Sequence, residues 1–376
     1  MRVLFLSISS PRKDGKGYEI LLYQRIKFLL LRGISVDLVI SSISDIQMGD
    51  LIELQNLSGK FHFQIFKLGR VGLFKNTFRT IFQSKLPIQV GVYYNKKLVL
   101  SLEKYLQNNK VDYIVSNLIR PLNCIPKLYQ RGVVIDALDS MALNFKRRVY
   151  NSKFMKKTLL KFEYDRLKHF EKCFHKSQIV ITVAKLDLDY IKGGLRYCIE
   201  LGVNETDKSV IANNQFDKYV FSGNMNYGPN IDAYNYLNNE IWPIIKSINP
   251  DAELYIAGRG SKSLQKNHDS IKLVGRVPVM SDYLAKMDVA IAPMRLGSGM
   301  QFKILEALAV GLPVITTQLG LGSINAEIGK DVFLFSKIHE LSKQIEMLKT
   351  VGARSKQRQC KLWMNSDDCA YNKICW

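Results

Sequence analysis

The six cysteines form no CxxC pair and no Cys/His array at zinc spacing, which argues against a zinc module or a dithiol redox motif. Cys124, Cys173, Cys198, Cys360, Cys369 and Cys375 therefore read as reduced thiols of a cytoplasmic protein. No stretch approaches the roughly 20 apolar residues of a membrane span. The opening MRVLFLSISSPRKDGKG has an apolar run too short for a signal peptide. Neither export nor membrane spanning is expected, so the sequons at Asn56 and Asn204 carry little weight. Low-complexity tracts are also missing, and a chain of 376 residues that is 47% hydrophobic provides about two domains' worth of core. Acids are scarce, 33 against 54 basic residues, and the net charge of +21 creates a field that favours anionic partners. That charge is not gathered on one recognition helix and accompanies no nucleic-acid reader motif, so nucleic acid is not an expected partner.

What is present is a series of short apolar strands ending in loops. Val3–Leu6 runs into Ser, Pro and Gly, the apolar residues from Tyr18 to Leu31 recur at helical spacing up to Gly33, and Val36–Ile40 is a second strand. This is a βαβ unit of the doubly wound type. Strands follow around Tyr113–Val115, Gly132–Asp136 and Gln178–Val183. A polar stretch, Val203 to Lys218, suits a linker. A second series then runs through Tyr219–Gly223, Leu254–Gly258, Lys272–Gly275, Val289–Pro293 and Pro313–Thr317. The expected fold is α/β, with two Rossmann-like doubly wound domains facing a central cleft. Their expected bounds are 1–203 and 204–350, with a tail, 351–376, that crosses back to the first domain.

The segment PMRLGSGMQFKILEALAVGLPV, starting at Pro293, places a glycine loop between a buried strand and an amphipathic helix from about Gln301 to Val310, closed by Gly311 and Pro313. The free N–H groups of that helix start form an anion site. Lys303 and Glu306 share its nearest face: the lysine suits a phosphate, the carboxylate a ribose diol. An ordinary surface ion pair is the plain alternative for an isolated KxxE; the preceding GSG argues against it here.

At this point FSGNMNYGPNIDAYNYLNNEIWPII, LYIAGRG and VGRVPVMSDYLAKMDVAIAPMRLGSGMQFKILEALAVGLPVITT together resemble the donor domain of the GT-B glycosyltransferases of family 4, a retaining group, and within it the sugar transferases of lipopolysaccharide or cell-wall polysaccharide assembly. The likeness is strong over Tyr219 to Thr317 and weaker over the first half. It implies that Glu306 meets the ribose hydroxyls as the second glutamate of an E-x7-E motif, and that the backbones of Gly299, Met300 and Gln301 lie near the diphosphate. It also implies that the base stacks on Arg276, Val277 and Pro278. Gly17 matches the second glycine of an N-terminal GG loop, Lys16 standing for the first. Three positions depart from the pattern. Ser298 replaces the first glutamate, Asn224 and Asn230 replace two basic residues after Gly223, and Asn117 and Arg120 stand where a histidine is usual. Arg295 and Lys303 are then the candidates to meet the phosphate charge, with Arg259 third, although an arginine at a strand end is as often simply solvated. No cofactor and no divalent metal are expected: the resemblance implies metal independence, and Asp187 to Asp189 reads as a helix surface.

The implied activity is transfer of a sugar from a nucleoside-diphosphate sugar to a glycan or lipid-linked acceptor with retention, a hexosyltransferase-type reaction. A sugar-nucleotide epimerase or a non-catalytic sugar-nucleotide-binding protein of the same architecture is the alternative. On the acceptor side, Asp136, Asp139 and Ser140 at a strand end suit an acceptor hydroxyl or a helix cap equally well, beside Asn117 and Arg120. From Leu54 to Leu102 there is no acid at all, while lysines and arginines interleave with phenylalanines and tyrosines. Two readings fit. One is an anionic membrane surface as partner, on the inner face of the membrane; the other is a core of phenylalanines under solubilising lysines. In Lys146 to Lys176, Leu160, Phe162, Leu167, Phe170 and Phe174 are expected to form one packed helix face.

Overall fold

The computed structural model describes residues 1–351 apart from 14, 44–45, 84, 151, 153, 200–215 and 298–299. The chain divides into two compact units, Met1–Ile199 and Glu200–Trp376. The expected tail 351–376 lies, beyond its first residue, outside the described residues, as do most of the expected linker and the site positions Ser298 and Gly299.

The first unit is built on seven strands: β1 (Arg2–Ser7), β2 (Ser35–Ser42), β3 (Phe61–Lys67), β4 (Tyr113–Asn117), β5 (Val133–Leu138), β6 (Ile179–Thr182) and β7 (Leu195–Cys198). They pair in parallel in the order β3-β2-β1-β4-β5-β6-β7. The second unit holds β8 (Lys218–Ser222), β9 (Glu253–Ala257), β10 (Ile271–Gly275), β11 (Val289–Ala292), β12 (Val314–Thr316) and β13 (Val332–Leu334). These pair in parallel in the order β10-β9-β8-β11-β12-β13.

Both sheets follow the doubly wound pattern. Central strands such as VLFL and VVIDA are continuous apolar runs because helices cover both faces of a parallel sheet. In each sheet the strand order reverses once, between β1 and β4 and between β8 and β11. At such a reversal the loops leaving the two strands diverge to opposite faces and open a crevice beyond the strand ends. Each unit has its own core. Leu4, Leu6, Ile135, Val180 and Leu167 are fully or almost fully buried in the first, and Tyr219, Phe221, Trp242 and Phe333 in the second. Tyr219 meets Trp242 edge to face at 5.9 Å.

Three strands are additional to those read from the sequence: β3, β7 and β13. β3 and β7 are partly exposed edge strands, and β13 is only three residues long. No helix among the described residues is long and apolar enough to cross a membrane. Within Lys146 to Lys176, Leu160, Leu167 and Phe174 are buried as expected, but Phe162 is exposed and lies under the Arg166 guanidinium at 4.2 Å. Asp187 is no surface residue: it is buried and accepts the Ser140 N–H at 2.9 Å.

Candidate functional site

In the second unit, the ends of three adjacent strands are stacked glycine turns. Gly223, Gly258 and Gly275 close β8, β9 and β10 with φ of +149°, +127° and +89°. Such angles are strained for any residue with a Cβ. The Gly223 N–H donates to the Ala257 carbonyl at 2.9 Å and the Gly258 N–H to the Gly275 carbonyl at 2.7 Å. A Cβ on Gly258 would overlap the Gly223 carbonyl, lying 2.8 Å from its carbon. Glycine is required here for close approach as well as for φ. The result is a tight shelf of backbone at the edge of the β8/β11 crevice.

On the other side of that crevice the helix Phe302–Ala309 begins at Gln301, whose side chain makes no capping bond. The Ile304 N–H donates to the Gln301 carbonyl at 3.0 Å, and the positive end of the helix dipole at this start favours an anion. Met300 is buried beneath the turn, and Gln301 is half-buried.

Lys303 reaches from this helix into the crevice. Its Nζ donates to Asn230 Oδ1 at 2.5 Å, lies 3.6 Å from Met294 Sδ and stands 4.9 Å from the centre of the Phe221 ring. Asn230 is itself buried and donates Nδ2 to the Asn224 carbonyl at 2.9 Å. Asn224 Oδ1 in turn accepts the Asn226 N–H at 3.0 Å, an Asx turn that fixes the loop after β8. The structure thus brings Gly223, Asn224, Asn230 and Lys303 together. Asn230, one of two positions where the sequence lacks an expected basic residue, acts as the acceptor that aims the lysine.

Burial lowers the Lys303 ammonium to about 7, opposed by the Glu306 charge; burial likewise raises the Glu306 carboxyl to about 7, opposed by Lys303. Both groups are held where charge is costly. An incoming anion would favour the charged lysine, and hydroxyl donors would favour the charged carboxylate.

The remaining candidates are distributed otherwise. Arg295 does not present a free cation: its fork is taken by Asp232, with Nη2 3.0 Å from Oδ1 and Nε 3.2 Å from Oδ2. It also lies 4.3 Å above the Tyr236 ring and 3.9 Å from Glu240. In this structure the Asp232 fork makes it a tie between the loop after β11 and the helix Gly228–Tyr236. Arg259 follows Gly258 and is half-exposed, with its carbonyl accepting the Met225 N–H at 2.7 Å. Val277 is half-buried, with Arg276 and Pro278 exposed beside it, on the loop after β10.

The sequence reading missed two hydroxyls. Thr316 donates to the Ala292 carbonyl at 2.6 Å, and Thr317 donates to the Met294 carbonyl at 2.6 Å while accepting the Gly320 N–H at 3.1 Å. Both pin the loop after β11 to the end of β12. Threonine is common in strands, and nothing in its spacing marks such a tie.

In the first unit Asp136 is no acceptor contact. It is fully buried and forms an ion pair with Arg25 of the helix Gly17–Leu31. Its charge belongs to the interior, where an arginine must compensate it. Ser140 is equally internal: its Oγ donates to Glu171 Oε2 at 2.7 Å, and burial raises that carboxyl to about 7. Asn117, at the end of β4, is buried and donates Nδ2 to Ser7 Oγ at the end of β1 at 3.2 Å, so it locks the reversal between those strands. Asp139 and Arg120 are half-exposed. Both follow strained strand-end positions, Arg120 two residues after Leu118 and Asp139 directly after Leu138: these leucines have φ of +72° and +63°, a conformation that costs a non-glycine residue about 1 to 3 kcal/mol. The Arg120 guanidinium stands 5.9 Å from the Tyr93 ring. Gly17 opens its helix, but the Glu19 carboxylate already accepts the Lys16 N–H at 2.8 Å, so negative charge occupies that helix start.

Residues 217–350, the second unit's described sheet and its last helix, match the family of glycosyl transferases group 1. Over almost the whole chain, a Klebsiella pneumoniae protein known as the uncharacterized 44.6 kDa protein in the cps region is similar, at 22% identity covering 93% of each sequence. Among solved structures, Alr3699/HepE of Anabaena in complex with UDP superposes with a TM-score of 0.60 at 16% identity, covering 95% of this chain and 94% of that one. Sucrose-phosphate synthase from Thermosynechococcus elongatus gives 0.63 at 14% identity, covering 94% and 92%. WaaG, a glycosyltransferase involved in lipopolysaccharide biosynthesis, gives 0.60 at 12% identity, covering 98% and 96%. The fold is that of the GT-B glycosyltransferases.

Proposed function

We propose that this chain is a glycosyltransferase that moves a sugar, of hexose type, from a nucleoside-diphosphate sugar to a glycan or lipid-linked acceptor with retention of anomeric configuration, as in family 4. The carrying observation is the crevice of the second unit, where a glycine shelf, a helix start that the Gln301 side chain does not cap and the Asn230-held Lys303 converge inside the segment similar to group 1 glycosyl transferases. Departure of a nucleoside diphosphate leaves charge on its phosphates. Fixed N–H groups and an ammonium at that point stabilise the transition state more than the ground state. In this reading the diphosphate lies against the start of Phe302–Ala309 and Gly299, Met300 and Gln301, with Lys303 as its cation. Glu306 accepts the ribose hydroxyls, and Val277 lies under the base. No metal is required, because the ammonium and helix dipole carry the charge; a chelator should leave the rate unchanged.

The solved relative bound to UDP supports a nucleotide donor. The cps region of one similar protein and the lipopolysaccharide biosynthesis of another support a glycan or lipid-linked acceptor. A lipid-linked acceptor implies a cytoplasmic enzyme working as a peripheral protein on the inner face of the membrane. Asp139 and Arg120 are the half-exposed groups left for the acceptor once Asp136 and Asn117 are assigned to the interior. Incubation with a panel of sugar nucleotides tests the proposal: donor hydrolysis or transfer is expected for at least one, and binding without turnover of any would turn the assignment to a binding protein.

A further inference from the structure

The helix Arg70–Gln83 is amphipathic in the reverse sense. Its apolar side chains Val71, Phe74, Phe78 and Phe82 are 70%, 74%, 53% and 70% exposed. They fall at positions i, i+3, i+7 and i+11, one continuous stripe on a helix of 3.6 residues per turn. Phe78 and Phe82 touch each other, ring centres 4.7 Å apart.

Its polar residues face inward instead. Asn76 Nδ2 donates to the carbonyls of Val92 and Tyr94 at 3.0 and 2.7 Å, and Thr80, buried, donates to the Asn76 carbonyl at 2.6 Å. Arg166, from the helix Phe154–Lys172, clamps the C-terminal end by donating to the carbonyls of Thr80, Ile81 and Leu86. The phenylalanines are therefore held outward by a satisfied polar network. The helix cannot turn them in without breaking four hydrogen bonds, two from Asn76 and two from Arg166 to the Thr80 and Ile81 carbonyls.

Arg70, Lys75 and Arg79 are exposed on the same helix, which has no acid, and none occurs from residue 54 to residue 102. A stripe of large apolar groups flanked by cations matches the boundary between anionic headgroups and acyl chains. A second protein with a purely apolar face would not explain this acid-free margin. We propose that the helix Arg70–Gln83 is a preformed docking face for an anionic lipid bilayer, into which Phe74, Phe78 and Phe82 insert while Arg70, Lys75 and Arg79 meet the headgroups. This extends the peripheral-membrane part of the proposed function by naming its surface. It does not depend on the donor chemistry, because vesicle binding is measured without any donor.

The test is co-sedimentation of the full chain with phosphatidylcholine vesicles, with and without phosphatidylglycerol. Binding is expected only with phosphatidylglycerol, and is expected to weaken about fivefold for each cation removed in Arg70→Gln, Lys75→Gln and Arg79→Gln. The Phe74→Ser/Phe78→Ser/Phe82→Ser variant should lose at least about tenfold in vesicle affinity while its melting temperature stays within a few degrees, since the three rings are exposed. Wild-type protein that ignores anionic vesicles would overturn the proposal. So would a triple variant that binds them as wild type does. Self-association in lipid-free solution that the triple variant abolishes without loss of vesicle affinity would assign the face to a second copy of the chain instead.

Discussion

Asn230→Ala probes the part of the site that departs most from the expected pattern. The substitution removes two hydrogen bonds, the Lys303 ammonium to Oδ1 at 2.5 Å and Nδ2 to the Asn224 carbonyl at 2.9 Å. A neutral bond contributes about 1 kcal/mol net and one to a charged group about 1.5 to 3, so a loss of about 2.5 to 4 kcal/mol in unfolding free energy is the upper range. Because Lys303 is only half-buried by surface exposure, water admitted to the gap would replace part of this, and about 2 kcal/mol is the expected value. The functional effect should be larger than the structural one. With its acceptor gone, the Lys303 ammonium loses the contact that aims it into the crevice, and donor affinity should fall about tenfold or more. Chemical denaturation and donor titration by calorimetry, on the same preparations, separate the two effects. Asn230→Asp is the control, since it keeps an acceptor beside the lysine and should restore most of the stability. If Asn230→Ala leaves both stability and donor affinity at wild-type levels, the positioning role of Asn230 is refuted.

Arg295→Ala should change donor affinity less than about threefold and stability by less than about 1 kcal/mol, because the pair with Asp232 is partly exposed; Lys303→Ala should weaken the donor by at least tenfold. A larger donor effect at Arg295 than at Lys303 would reverse their assignment. Gly258→Ala should lower the melting temperature of the second unit and abolish its thermal response to donor, since both φ and the Gly223 carbonyl exclude a Cβ. Glu171 has its carboxyl raised to about 7 from 4.5 in the folded state by burial. The native state therefore holds more protons than the unfolded chain between these values, and stability should fall as pH rises from about 4.5 to 7, by about 3 kcal/mol from this group. Glu171→Gln should flatten that decline in pH-dependent denaturation, and an unchanged slope would contradict the assignment.

The architecture was legible because buried parallel strands are continuous apolar runs that end in Gly, Pro or Thr, as at VFSG, YIAG and IAP. β3, with the alternation FHFQIFK, was hidden in a stretch whose aromatic and basic residues admitted two other readings; edge strands carry a mixed pattern on their open side. The helix start and the Lys303–Glu306 spacing were readable for the same reason, since local chemistry and spacing define them. What sequence could not give was pairing across the fold. Asp136 looks like a strand-end carboxylate until Arg25 is found against it, and Arg295 looks like an unpaired cation until Asp232 is found on its fork. The same holds for the aromatic stretch: Phe61 went to the core and Phe74, Phe78 and Phe82 to solvent, because the inward positions of their helix are taken by Asn76 and Thr80.

The central claim is that the second unit binds a nucleoside-diphosphate sugar through the helix Phe302–Ala309. A thermal-shift screen of UDP-, GDP-, ADP- and dTDP-sugars on wild type and Glu306→Gln tests it most directly, since a ligand bound only to the native state at a hundredfold excess over its Kd adds about 2.7 kcal/mol of stability. At least one donor should raise the wild-type melting temperature by several degrees, with a smaller rise in Glu306→Gln at an unchanged ligand-free melting point. Failure of every donor to stabilise the wild type, or an equal rise in both proteins, would contradict it.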